Sequence, residues 1–511
     1  MLHMKFRYFY LFIFFLISID TSAQKIEDVE FTNSKEIKFK YQSEEPFMKA
    51  LVNDNHKIMV TKVPYVHKLK TYWVKFEEGK EPYHETFGAP YKDSYAKNFF
   101  NFGNRIFWSM DKKDNKDLYD LVVEYNHYGK PINVVAIDSF DITDHEKMNN
   151  QHVRYSPDSS KVLLLNWLDE DKYRKDFSIR AFVLDENMNV VKSHLDYDDS
   201  SKSIQRMRSI GGSQVFNDGS FVILEKRHID KPDDVKKVNK KKVANYYLNV
   251  TYVESNGEVN SMKLPNVGGF YDTYDILHFK GSGSLVVVAP KRSSDDDSTY
   301  KGFDIFVKKK DENNFSHIER LFSDDELEDF GRWDKRDAGF EKWSRLWPIM
   351  LEHNGKISFL LEHFGFKNKG NSYENYIGSA LLTTINSDGE IENIDFFPKF
   401  CSTDFLQSQS VPIMYNGKIA ILTKDQERNE DYDFSEYYKI HKHRRFKSRN
   451  FYYVMYRDSD NKLIKEKYPA DDKLIFYSDL YYKSKSGGVT FPVLKIKGIL
   501  QLPKLYFTTL K

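Results

Sequence analysis

Gly211-Gly-Ser-Gln-Val-Phe-Asn-Asp-Gly-Ser-Phe-Val-Ile-Leu-Glu225 is followed, after a charged interval, by Tyr246-Tyr-Leu-Asn-Val-Thr-Tyr-Val-Glu-Ser-Asn-Gly-Glu-Val259. Each stretch is an apolar or alternating run broken by a turn, first at Asn217-Asp218-Gly219 and then at Ser255-Asn256-Gly257. Asn, Asp and Gly adopt positive φ cheaply, as tight β-hairpin turns demand. The pair reads as two hairpins, or four antiparallel strands.

Degenerate copies of this pattern run through the rest of the chain. First-hairpin turns are expected at Asp54-Asn55, Phe102-Gly103, Pro157-Asp158, Asp218-Gly219, Ser282-Gly283, Asn354-Gly355, Asn416-Gly417 and Gly487-Gly488. A dense apolar run follows each, such as Val162-Leu-Leu-Leu165, Leu285-Val-Val-Val288 or Ile419-Ala-Ile-Leu422. Short continuous apolar runs suit strands buried on both faces. Second-hairpin turns are expected at Glu78-Gly79, Tyr128-Gly129, Glu186-Asn187, Asn313-Asn314, Asp388-Gly389 and Ser459-Asp460. The strands after them mix apolar residues with Lys, Glu and Asn, as outer strands do to discourage edge-to-edge pairing.

Four strands per unit, repeated, define the blade of a β-propeller. The expected fold is therefore all-β: a propeller of four-stranded antiparallel blades, eight in number, with seven as the alternative. The last unit lacks an outer strand. Glu36-Ile-Lys-Phe-Lys-Tyr41, alternating apolar and polar residues, is expected to supply it and so close the ring. Arg154-Tyr-Ser-Pro-Asp-Ser-Ser160 resembles the Ser-Pro-Asp-Gly turn of WD40-like and TolB-like propellers, with Ser159 where those have Gly. The resemblance covers one unit; it implies the fold and no particular function.

The chain opens with Lys5 and Arg7, an apolar run from Tyr8 to Ile19, and small residues Thr21-Ser22-Ala23. This is the pattern of a signal peptide over residues 1–23; the run is short for a membrane span, which takes about 20 residues. The mature chain, 24–511, is expected to be one exported propeller domain, periplasmic or extracellular at the cell surface. A net charge of +1 lacks the basic excess that nucleic-acid binding draws on, so no nucleic-acid partner is expected. Cys401 is the only cysteine, so an internal disulfide is excluded; it reads as a small buried side chain.

With strands lettered A to D from the axis outward, the A–B and C–D turns are short, whereas the B–C and D–A connections are long and variable. The long ones share one face, where loops on a rigid scaffold carry binding. B–C insertions at Lys231–Lys242, Ser293–Ser298 and Asp425–Asn450 are highly charged and read as solvated loops that can form a charge-patterned rim.

The sharpest site candidate is the D–A connection from Gly331 to Trp347. It places Trp333 and Trp343 beside Arg332, Arg336 and Arg345, a combination that stacks on sugars or anchors protein partners. Its competing reading is packing between blades, above all for Trp347. Other D–A connections offer His145, Asn150, His152, Arg206, Arg208, Tyr271, Asp272, Tyr274, Asp404 and Gln407, each read first as structural.

No nucleophile elbow, His-Glu-x-x-His, P-loop or EF-hand loop is found. His441-Lys-His443 sits among basic residues, and Asp295-Asp-Asp297 stands in an open loop; neither is assigned a metal, and no cofactor is expected. The expected function is non-enzymatic binding of a protein or surface polysaccharide on the long-loop face. The alternative is a carbohydrate-active enzyme, glycosidase or lyase, with carboxylates at the channel mouth. A scaffold subunit of an envelope assembly is a third possibility.

Overall fold

In the computed structural model, the described residues are 48–52, 57–65, 68–76, 83–87, 94–102, 105–114, 117–141, 150–167, 177–198, 208–229, 235–238, 241–265, 267–295, 299–331, 340–341, 344–368, 373–403, 410–426, 429, 450–467, 474–476, 482–483, 489–495 and 504–510. Among them the strands form seven successive four-stranded antiparallel meanders. Sheet 1 comprises Met48–Val52, Lys57–Tyr65, Lys68–Phe76 and Tyr83–Phe87. Sheet 2 comprises Ser94–Phe102, Arg105–Asp114, Asp117–Tyr125 and Pro131–Asp141. Sheet 3 comprises Asn150–Tyr155, Lys161–Trp167, Phe177–Asp185 and Val190–Asp198. Sheet 4 comprises Arg208–Val215, Phe221–His228, Tyr246–Val253 and Val259–Lys263, the stretch quoted at the outset.

Sheet 5 comprises Asp275–His278, Leu285–Lys291, Gly302–Lys308 and Ser316–Leu321. Sheet 6 comprises Ser344–His353, Lys356–Asn368, Tyr373–Ile385 and Ile391–Phe397, with Cys401–Thr403 as a short extra strand on the third. Sheet 7 comprises Val411–Tyr415, Lys418–Gln426, Asn450–Arg457 and Leu463–Lys467. An eighth sheet is built differently. Leu474–Phe476 and Tyr482–Lys483 both pair with Val489–Lys495, and Lys504–Leu510 pairs with its other edge.

In sheets 4 and 5 the middle strands are buried and the fourth strands are largely exposed. In sheet 4 the second strand is buried over Phe221–Glu225, whereas Val259–Lys263 is almost entirely exposed. Alternate side chains of a middle strand point to opposite neighbours, as the period of two requires. Phe221 and Ile223 pack on Leu163, Leu165 and Val183 of sheet 3. Val222 and Leu224 pack on Leu285, Val287 and Phe306 of sheet 5. Equivalent clusters join sheets 2 and 3, 5 and 6, and 6 and 7.

The first strands of sheets 1 to 5 adjoin in succession, as do those of sheets 6 and 7. Stacked face to face with their first strands together, the sheets make a β-propeller-like all-β fold.

The turn chemistry is visible in the backbone. Asn354 and Gly355 have φ of 50° and 71°, and Asn416 and Gly417 have 48° and 73°. Two consecutive left-handed residues form the hairpin turn whose twist matches that of the strands. In sheet 3 the left-handed positions fall on Ser159 (φ 59°) and on Met188 (φ 65°). Met188 is buried between sheets 2 and 3, so its packing offsets a conformation that glycine would adopt more cheaply.

At Gly211 and Gly212 a bulge brings the first strand of sheet 4 against that of sheet 5. A Cβ on Gly211 would lie 2.2 Å from the Tyr274 ring, and one on Gly212 would lie 2.1 Å from Asp275 Oδ1. Only residues without a side chain permit this approach. Glu36–Tyr41, Asp54-Asn55, Glu78-Gly79 and Gly487-Gly488 lie outside the described residues, as does residues 1–23.

Candidate functional site

In sheets 3, 4, 6 and 7 the A–B and C–D turns are short, and the opposite end carries the B–C and D–A connections; in sheets 1 and 2, against the expectation of long B–C connections, the second and third strands run on until only residues 66–67 and 115–116 lie between them. At that end the second and third strands leave the apolar core, and buried charges appear.

Between sheets 2 and 3, Asp111 and Asp120 face each other in register on adjacent strands. Lys97, at a bulge in the first strand, reaches them at 2.5 and 3.3 Å. Asn166 of sheet 3 donates to Asp120 at 2.7 Å. Burial, and next to it the opposing effects of Lys97 and Asp120, raise the Asp111 carboxyl to about 6. Arg180 of sheet 3 pairs with Asp138 of sheet 2.

Between sheets 4 and 5, Asp304 accepts hydrogen bonds from Tyr271 Oη (2.6 Å) and Lys291 Nζ (3.3 Å) and meets His317 Nε2 at 2.8 Å. Between sheets 6 and 7, the fully buried Glu362 pairs with Lys399 at 2.7 Å and accepts from Ser410 Oγ at 2.5 Å. Asp425 accepts from Lys465 (2.8 Å), Asn429 Nδ2 (2.9 Å) and the Phe400 amide (3.0 Å). These groups hold one another across strands and between sheets. A buried ion broken from its partner is costly, so the networks fix the seams on which the loops stand.

Above the seams, loops of sheets 4, 5 and 6 are tied together. Arg292 makes a fork to Asp272 at 2.7 and 2.8 Å and donates to the carbonyls of Ser294 (3.1 Å) and Asp295 (2.7 Å). Such planar two-point contacts are among the stronger hydrogen bonds. Phe270 and Arg292 also exchange backbone hydrogen bonds. Lys242, from the B–C insertion of sheet 4, reaches Asp295 in the B–C connection of sheet 5 at 3.5 Å. Thr299–Tyr300 pairs antiparallel with Phe340–Glu341 from the D–A connection leading to sheet 6.

Two loop elements escaped the sequence reading. Asp324–Gly331 is a helix. The Ser323 hydroxyl accepts from the Glu326 amide (3.2 Å) while Glu326 Oε2 accepts from the Ser323 amide (2.6 Å). This is a capping box, and Ser-x-x-Glu before Leu327 and Phe330 was its available signal. The second element corrects the expectation of a solvated loop at Lys231–Lys242: Val235–Val238 and Lys241–Ala244 form a two-stranded hairpin. Lysine-rich strands with like charges face to face resist recognition from sequence.

Of the sequence-derived candidates, Arg332, Trp333, Arg336 and Trp343 lie outside the described residues. Arg345 lies in the first strand of sheet 6, opposite Glu362 in register. Phe340–Glu341, within the same connection, is the part anchored to sheet 5. Tyr271 and Tyr274 are buried in the packing between sheets 4 and 5, and Asp272 is held by Arg292. Asn150, His152 and Arg208 lie on first strands.

Burial, followed by the charge of Arg154, lowers the His152 imidazole to about 3, so it is neutral across physiological pH. His145, Arg206, Asp404, Gln407, His441 and His443 lie outside the described residues. Cys401 is buried. No group of three metal-ligating side chains occurs among the described residues.

The sequence matches no protein family profile and no curated protein. Among solved structures, the chain is similar to a prolyl endopeptidase at 10% identity and a TM-score of 0.39, over 88% of this chain and 54% of that one. It is similar to the acylaminoacyl peptidase of Pyrococcus horikoshii at 11% identity and a TM-score of 0.33, over 89% of this chain and 59% of that one. Trypanosoma rangeli sialidase aligns at 11% identity and a TM-score of 0.31, over 71% of this chain and 53% of that one. The chain thus spans little more than half the length of these proteins. Likeness of this degree says nothing about activity.

Proposed function

We propose that this protein is an exported, non-enzymatic propeller that holds a protein or a surface polysaccharide on its long-loop face. The observation that carries the reading is the asymmetry between the two ends of the sheets. In sheets 3, 4, 6 and 7 one end has short turns. The other supports loops of sheets 4 and 5 tied through Arg292, Asp272, Asp295 and Lys242, and joined to the connection leading to sheet 6 through Thr299–Tyr300 and Phe340–Glu341, over seams of paired buried ions. A preorganised surface of this kind costs little ordering on binding.

Eight blades, closed by residues 36–41 pairing with Lys504–Leu510, complete the reading. Lys504–Leu510 pairs through one edge only among the described residues, and Glu36–Tyr41 has the alternation of an edge strand. Export rests on the signal-peptide pattern of residues 1–23.

The test uses the mature chain, immobilised and exposed to envelope and extracellular material fractionated into protein and polysaccharide. A specific component should be retained. Replacing residues 230–244 by a short Gly-Ser link should release it, whereas substituting the exposed Lys130 at the tight-turn end should not. No retention, or retention indifferent to the replacement, sinks the proposal. Release of new reducing ends from a retained polysaccharide would favour the carbohydrate-active alternative.

A further inference from the structure

The paired strands Val235–Val238 and Lys241–Ala244 are a cationic feature at the loop end of sheet 4. They carry Lys236, Lys237, Lys241 and Lys242 and no acidic residue. Register places Lys237 directly opposite Lys242. Like charges opposed on paired strands repel, and a flexible loop would separate them. Here backbone pairing holds them together. Lys242 has Asp295 at 3.5 Å, and Lys237 is exposed.

Two more lysines stand at the loop end of sheet 4. Lys263 lies over the Tyr247 ring at 4.4 Å, and Lys226 lies over the Tyr246 ring at 4.8 Å. Tyr246 and Tyr247 follow the hairpin after Asn245. With Pro265, Val267, Gly269 and Tyr271 they line a small niche.

We infer that this lysine and tyrosine array binds a linear anionic polysaccharide. The inference rests on the binding-face reading and names its ligand class. Regularly spaced carboxylates or sulfates would meet lysines held in register, and a sugar face would meet the partly exposed Tyr247. Tyrosine offers both an apolar ring for such a face and a polar end. A net charge of +1 for the whole chain makes this a local cationic patch. Nucleic acid would call for a broader basic surface.

The probes are polygalacturonate, a neutral galactan, anionic phospholipid vesicles and duplex DNA, each titrated into the full mature protein at low and physiological salt. Polygalacturonate should bind in a salt-sensitive manner, and galactan should bind far more weakly. The double variant Lys237→Gln/Lys241→Gln should lose on the order of tenfold in affinity through lost charge complementarity. Tyr247→Ala should weaken binding with little change in its salt dependence. Lys130→Gln, at the opposite end, should bind like wild type, and thermal unfolding should show that the variants fold.

Absence of polygalacturonate binding at low salt, an unchanged double variant, or tighter binding to vesicles or DNA would overturn the inference. If polygalacturonate fails to bind while replacement of 230–244 still releases a retained component, the ligand class is wrong and the binding face stands. If neither effect is seen, both readings fall.

Discussion

Substituting Asn for Asp111 removes one of two carboxylates that share a single lysine in the seam between sheets 2 and 3. Asp111 and Asp120 are 3% and 0% exposed and lie opposite each other, with Lys97 reaching both. Arg180 is the next cation, itself paired to Asp138. Burial outweighs the attraction of Lys97 and raises the Asp111 carboxyl from 3.8 to about 6. The folded state therefore prefers the protonated acid. Its stabilising effect is present below pH 3.8 and is lost as pH rises through about 6.

A rise of about two pH units corresponds to roughly 3 kcal/mol. The amide keeps the side chain's size and removes the buried charge, so Asp111→Asn should gain about 1–3 kcal/mol over wild type at pH 8. The gain should shrink as pH falls from 6 towards 4. Urea unfolding of both proteins at half-unit steps from pH 4 to 8 measures it. The difference cancels His152, whose lowered value of about 3 makes its own contribution complete above pH 6.5 and lost as pH falls. A difference independent of pH, or a variant less stable than wild type at pH 8, would refute the argument, because Asp111 would then be an ionised partner that Lys97 needs.

Two further substitutions probe the packing. Lys399→Met leaves Glu362 buried without its cation and should cost about 3–5 kcal/mol at neutral pH; denaturant unfolding within about 1 kcal/mol of wild type would show that Ser410 alone satisfies the carboxylate. Gly212→Ala places a methyl 2.1 Å from Asp275 Oδ1 and 3.1 Å from the Ile276 amide nitrogen. It should lower stability by about 1–3 kcal/mol. An unchanged melting temperature would mean that the first strands of sheets 4 and 5 separate freely.

Local chemistry was legible in the sequence. Asn354-Gly355 and Asn416-Gly417 specify their turns through two residues of backbone preference, and Val162–Leu165 or Leu285–Val288 announce buried strands through apolarity alone. These signals need no knowledge of what lies across the interface, so they gave the order of the strands. Gly211-Gly212 lies within the first hairpin of sheet 4 and is also where Tyr274 and Asp275 approach.

The helix at Asp324–Gly331 also had a local signature, in Ser323 and Glu326. The lysine hairpin had none, because its valines alternate too weakly among like charges.

The seams were decided by tertiary structure. Tyr271, Asp304 and His317, or Glu362, Lys399 and Ser410, are ordinary polar residues in the chain. They become networks only when neighbouring sheets bury them together, because a buried charge must find its partner wherever the fold brings one. The sequence by itself determined the repeat, its turns and its buried strands, since these follow from backbone torsion preferences and side-chain apolarity over a few residues. Only the packing of sheet against sheet decided which charges pair, and which loops are fastened into a single face.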